Sequence, residues 1–600
     1  LPDSRQWQFD YPDNGTTTRF WHSLFIGRHA QIDPFDPVQC DPGGGGDYVS
    51  MTHPGGASAI FRIEGRCVGQ AAVPKLQNFN RFGQGAPYQT YALPKTHQQY
   101  SLSHKRLDLP DGTVYEWGYS YNLNFGYYYG ESSPYDISFN LPGLPAGTDL
   151  SFVSEDLVDV SATLITNPDG NYQLSIADRR YGYQNGKQLY AATYDANFNL
   201  VSYTKYHYSV SPMDYGSTRQ WVHGIEEYIV YPLPPEFDGQ IYFDQAVSAS
   251  KHMRLLDREL VLVDGATPTS YKEAFSQFNN YEKAQQVSQY GPGGTRQIQL
   301  GFAHHSGTWV LNQPTTVDVS LNGGTYQRLS ENVYYDALHS NTAYRFQLKE
   351  EKYFGTIRKA YPSYQSVTGA RGQIKDVDLH LDAAGSKRRV SFNNYKRGQA
   401  QTVTVPQRYL SGTMSMTKEV DDNGWVVATT DFNGVRTEYA YTPVGLVRAV
   451  NLAPDSTYTY GNWNDTLFTY SYPSSGGLVR TAQQCVVNNA MSGCSGPTSL
   501  TTTQTYDALY RLVKRQVSGD GESRYQLFTY DANNQTTFAS FVSANSNETR
   551  GTHSTYGPLK RKTSVTTSGL GTTYFNYLAG NKVQQVNPRG FATVTTYRAF

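Results

Sequence analysis

The sequence has almost no net charge. Its 50 Lys and Arg against 51 Asp and Glu leave −1, with a pI near 7.0. A nucleic-acid binder needs a basic face, so nucleic acid is excluded as an obligate partner. Cysteine is scarce, at four residues in 600, and no C-x-x-C spacing occurs, which argues against a zinc site. There is no apolar run long enough to span a bilayer. G-x-S-x-G and H-E-x-x-H are both missing. Gly43 to Gly46 are followed by Asp47, not by the Lys of a phosphate cradle, and read as a surface loop. An initiator Met and a signal peptide are missing too. The chain starts at Leu1-Pro2-Asp3 and stops within a repeat at Tyr597-Arg598-Ala599-Phe600, so it reads as a piece of a longer polypeptide.

Weaker candidates have plainer explanations. His304 and His305 are adjacent, so on a strand they point to opposite faces and do not share a metal. Asp421-Asp422-Asn423-Gly424 lacks the spacing and terminal Glu of a calcium loop and reads as a β-turn. Glu155-Asp156 and Glu226-Glu227 are adjacent acids, and nothing in the sequence sets two of them across a cleft. Lys387-Arg388-Arg389 reads as a solvated strand edge that discourages aggregation. We assign no catalytic, cofactor-binding or metal-binding residue, and expect a protein that is not an enzyme. The cysteines fall into two local pairs, Cys40 with Cys67 and Cys485 with Cys494. They are disulfide candidates, with unpaired structural thiols as the alternative. Paired cysteines suit a secreted or cell-surface protein.

What is abundant is tyrosine, with 50 copies, and glycine, with 54. Thr, Tyr, Val and Ser runs broken by Gly, Pro, Asn and Asp are the composition of many short strands and turns. Pro110-Asp111-Gly112 and Pro168-Asp169-Gly170 are turns, and Tyr127 to Tyr129 reads as strand. One stretch departs from this style. Thr269 to Gln286 has helix formers, Phe275 and Phe278 at i, i+3, and Gly291-Pro292-Gly293 as a stop, so a short helix is predicted there.

The chain is also periodic. Tyr506-Asp507-Ala508-Leu509-Tyr510-Arg511-Leu512 is followed by Tyr530-Asp531-Ala532-Asn533-Asn534, and related tyrosines stand at Tyr556, Tyr577 and Tyr597. Spacings of 20 to 26 residues mean one supersecondary unit per repeat. A longer copy runs from Asp431 through Gly434, Tyr439, Tyr441 and Gly445 to Leu446, and Asn587 to Tyr597, with Gly590, repeats its first part. In it D/N-x-x-G makes a tight turn and Thr-x-Tyr-x-Tyr alternates as a half-buried strand does. Tyr194-Asp195-Ala196-Asn197 is an early copy. Each unit is therefore a β-hairpin.

These residues resemble the RHS/YD-repeat family, as do Tyr395-Lys396-Arg397-Gly398-Gln399-Ala400 and His304 to Pro314. The resemblance covers the last 300 residues best. Trp21-His22-Ser23-Leu24 and Leu109 to Gly112 only suggest the opening strands, and Tyr510 replaces the usual Gly. The fold expected is all-β: a long twisted sheet of repeated hairpins that, as the resemblance implies, spirals into a hollow YD-repeat shell. Residues 1–395 would be a divergent β-rich start, possibly with a plug, and 396–600 a truncated repeat segment. The resemblance further implies a scaffold that encloses and delivers a C-terminal toxin or effector absent from this chain. Its partners would be that cargo, and the secretion machinery or cell-surface glycans. The alternative is a cell-surface or wall-associated protein that binds carbohydrate or protein through its tyrosines.

Overall fold

A computed structural model describes residues 8–10, 47–53, 56–69, 75–77, 90–92, 96–122, 141–153, 160–179, 185–211, 219–222, 225–228, 252–263, 267–381, 385–407, 411–452, 465–473, 476–485 and 498–597. The Gly43–Gly46 loop, the Tyr127–Tyr129 strand, Trp21 to Leu24, Cys40 and Cys494 lie outside them, as does the side chain of Cys67.

Alternating, β-branched and aromatic sequence between turn residues yields strands almost throughout. Thirty-five of them form one antiparallel sheet. They are numbered β1 to β35 in chain order, from β1 (Gln8–Asp10) to β35 (Ala592–Thr596). Two short hairpins, Lys75–Gln77 with Thr90–Ala92 and Arg219–Val222 with Ile225–Tyr228, stand apart from it. Every strand of the large sheet between the first and the last pairs with the one before it and the one after it, so the sheet is a single meander. It passes from residue 395 to 396 inside one hairpin, where Tyr395 faces Ala400 and Lys396 faces Gln399.

The predicted helix is a hairpin instead: β11 (Thr269–Phe278) pairs with β12 (Ala284–Gly291). The turn between them explains the misreading. Asn279 Oδ1 accepts from the N–H groups of Tyr281 and Lys283, at 2.9 and 3.1 Å, and Glu282 takes φ +63. Helix-forming Glu thus occupies the position that Gly434 holds in its turn, and Gln277, at φ +53, interrupts the strand between Phe275 and Phe278.

The basic run is also different from expectation. Lys387 and Arg389 lie on a strand paired on both sides, not on an edge. Both reach buried Asp378, at 3.0 and 2.7 Å. Arg389 above all holds the Asp378 carboxyl down at about 2, against the cost of burial and with help from Lys387.

Packing is thin. The twelve residues of strand Gly294–His305 are all half-buried, as expected of a sheet with two accessible faces. Dry packing is local. Leu141 and Phe152 lie over Leu174, Ile176 and Tyr190, and a second cluster joins Tyr361, Tyr364 and Val377.

The meander curls back on itself. A Cβ built on Gly56, in the turn between β2 (Asp47–Thr52) and β3 (Ser58–Gly69), would lie 3.3 Å from Gly476 Cα. Gly476 belongs to the turn between β25 (Thr466–Ser471) and β26 (Leu478–Cys485). The turn between β4 (Thr96–Asp108) and β5 (Val114–Tyr121) meets the one between β27 (Thr498–Tyr506) and β28 (Leu512–Gly519), where Ala57, Leu109 and Ala508 are buried together. Asp169, between β6 (Val160–Thr166) and β7 (Tyr172–Asp178), accepts from Asn533 Nδ2 at 2.7 Å; Asn533 lies between β29 (Glu522–Tyr530) and β30 (Thr536–Ser540). Tyr271, just past the turn from β10 (His252–Leu262) to β11, hydrogen-bonds Asn581, between β33 (Gly571–Leu578) and β34 (Lys582–Val586). The pairs β2 with β25, β4 with β27, β6 with β29 and β10 with β33 all differ by 23 strands. A constant offset is a spiral with 23 strands per coil. At about 4.8 Å per strand its girth is about 110 Å, or about 35 Å across if circular.

Candidate functional site

The predicted repeat residues build the turns. At Asp431 the side chain accepts from the N–H groups of Asn433 and Val435, at 2.8 and 2.9 Å. The backbone closes the same five residues, with Asp431 N–H donating to Val435 C=O and Gly434 N–H to Asp431 C=O. The fourth residue needs positive φ, and Gly434 has +84. Asp421, Asp507, Asp531, Asp195 and Asn587 cap their turns in the same way. Tyr510 and Asn534 take the glycine position at φ +59 and +62, and Gly445 and Gly590 hold it elsewhere.

The tyrosines tie together the two strands of each hairpin. Tyr530 ends its strand, and its hydroxyl donates to the C=O of Leu512, the first residue after the preceding turn, at 2.8 Å. Tyr441 reaches Val426 in the same way at 2.7 Å, Tyr556 reaches Thr536 at 2.9 Å and Tyr577 reaches Lys562 at 3.0 Å. Each hydroxyl thus crosses to the paired strand at the end of the hairpin away from its turn. Tyr439 and Tyr506 sit half-buried in strands, and Tyr597 is exposed beside Asn581, whose C=O accepts its N–H at 2.8 Å. Cys485 is fully buried and disulfide-bonded.

The residue that sequence reasoning missed is Arg511. Its Nε donates to Asp507 Oδ2 at 2.7 Å, and its Nη1 to Asp531 C=O at 3.1 Å and to Asn534 Oδ1 at 3.3 Å. Across the seam it reaches the Tyr115 hydroxyl at 3.5 Å, and its guanidinium lies near the faces of Tyr115 and Tyr530. Arg511 and Asp507 are only 13% and 12% exposed. Burial works against the arginine charge, yet the Tyr115 hydroxyl and the Asp507 carboxylate hold its pKa above the ordinary value. Nearby, His53 meets the Tyr510 ring edge-on at 5.1 Å between centroids. The one clue in sequence was Arg511-Leu512 closing the tyrosine–aspartate unit.

Further along, the seam holds a cavity of about 240 Å³ between Leu262, Thr269 and Tyr271 on one coil and Arg561, Tyr577 and Lys582 on the next. The two histidines have separate packing roles: His304 lies against Tyr281 and accepts from Asn312 N–H, while His305 lies against Phe346. No group of three metal-ligating side chains occurs among the described residues. No helix among them is long and apolar enough to cross a membrane.

The fold and seam define a spiral hairpin ribbon. No family model matches the chain, and no curated protein does. Solved structures that it resembles include the TcdB2-TccC3 crystal structure, at TM-score 0.49 and 9% identity, over 92% of this chain and 36% of that one. The Photorhabdus luminescens Tc holotoxin pore matches at TM-score 0.31 and 9% identity, over 92% and 30%. TcdB2-TccC3 without its hypervariable C-terminal region matches at TM-score 0.27 and 9% identity, over 100% and 34%. This chain spans about a third of the length of those chains.

Proposed function

We propose that this chain is a stretch of container wall from a secreted or surface-delivered RHS-type polypeptide, enclosing and delivering a C-terminal toxin or effector. Its role is structural, not enzymatic. The supporting observation is the constant 23-strand offset, which wraps a single-layered sheet around a lumen. A continuous meander also leaves only its two terminal strands as edges that could seed aggregation. The test is to purify the full-length polypeptide natively and follow its mass and fragments. A C-terminal segment that is cleaved yet stays associated until denaturation supports the container. A polypeptide with nothing enclosed overturns it.

A second reading, a surface that binds glycans or proteins, draws on exposed aromatics at turns. Trp309 is 84% exposed and Phe354 is 68% exposed. Retention on a glycan array that is lost in Trp309→Ala or Phe354→Ala would favour it.

A further inference from the structure

The seam is bonded differently from the rest of the wall. Within a coil, neighbouring strands share a ladder of backbone hydrogen bonds, as between β27 and β28. Between coils, Asp169 with Asn533, Tyr115 with Arg511, and Tyr271 with Asn581 are joined side chain to side chain. Apolar cover there is the small cluster of Ala57, Leu109 and Ala508, with Leu107, Tyr115 and Leu509 around it. Such a joint has a lower opening free energy than a continuous ladder, and regions of few buried contacts open first.

We propose that the wall parts along this seam before it yields anywhere else, the second coil lifting from the first while both stay folded. The knot of Asp507, Arg511 and Tyr115 holds it shut. Asp507 caps its own turn with Oδ1 and steers Arg511 with Oδ2, so turn and seam share one carboxylate. Arg511 suits the task because its planar fork serves several acceptors at once, including acceptors on β29–β30 and the Tyr115 hydroxyl on the neighbouring coil. The use of such opening, release of contents, rests on the container reading, but the opening itself belongs to this chain and is measured without any cargo.

The test places spin labels at Val114 and Arg515, exposed positions on either side of the seam and outside the knot. A control pair at Arg515 and Thr537 lies within one coil. Distance distributions are recorded for the unsubstituted protein, for Arg511→Ala, and for Asp507→Asn, which keeps the turn cap and loses the ion pair. We expect the seam pair to gain about tenfold in long-distance population in both variants while the control pair is unchanged. Equal broadening of both pairs would show that Arg511 holds the sheet itself, and overturns the proposal. A seam pair as narrow in the variants as in the unsubstituted protein overturns it as well. Should Arg511→Ala fail to fold, Asp507→Asn decides alone.

Discussion

One oxygen of an aspartate accepts two backbone N–H groups at each of these turns, and that explains why Asp or Asn begins them. Asp531→Ala strips acceptors from the N–H groups of Asn533 and Gln535. We expect a loss of about 1–2 kcal/mol, with Asp531→Asn retaining most of it, in a denaturant titration. Asp378 gives the chain an acid-sensitive point. Its carboxyl titrates at about 2 in the folded chain against 3.8 ordinarily. A depressed carboxylate pKa stabilises the fold above about pH 4, and the gain is lost as pH falls from about 4 to about 2. The gain is at most about 2 kcal/mol, because the cations that hold it are half exposed. Asp378→Asn should flatten the dependence of melting temperature on pH in that window.

At the scale of the hairpin, tyrosine has a defined job: its hydroxyl, at the end of the second strand, bonds the start of the first. Tyr530→Phe removes the bond to Leu512 C=O and leaves the ring in place. The expected cost is about 1 kcal/mol by thermal melting, since the carbonyl loses one of its partners. Hairpins and turns were legible because they are local. The D-x-x-G signature, the alternation and the twenty-residue spacing all lie within one or two strands. The β11–β12 hairpin was missed because Asn279 and Glu282 make the same turn with a residue that carries no turn signature. Lys387 and Arg389 were misread because their partner, Asp378, is on a neighbouring strand and has no mark in the sequence.

At the scale of the whole molecule, the coiling is held by residues hundreds of positions apart. Tyr115 and Arg511 are 396 residues apart, and Asp169 and Asn533 are 364. No spacing rule joins them, because loops and strand lengths between coils vary while the strand count does not. The spiral was therefore legible only through family resemblance, and Arg511 only as part of the Arg-Leu that closes the tyrosine–aspartate unit. Tyr271 and Lys582 line the same cavity from the two coils. A thiol-reactive cross-linker read by mass spectrometry should join Tyr271→Cys to Lys582→Cys in the native protein. No such link should form after denaturation.

The number 23 is odd, and that has a geometric consequence. Successive turns of a meander alternate between its two rims, so an odd shift sets the upper rim of one winding against the lower rim of the next. An even count would place each turn over a turn of its own rim, which a screw thread does not allow. The wall can therefore be lengthened or shortened only in whole hairpins, as a thread admits only whole steps of its pitch. Loss of a single strand would exchange the rims of everything downstream and unseat the thread along its whole length.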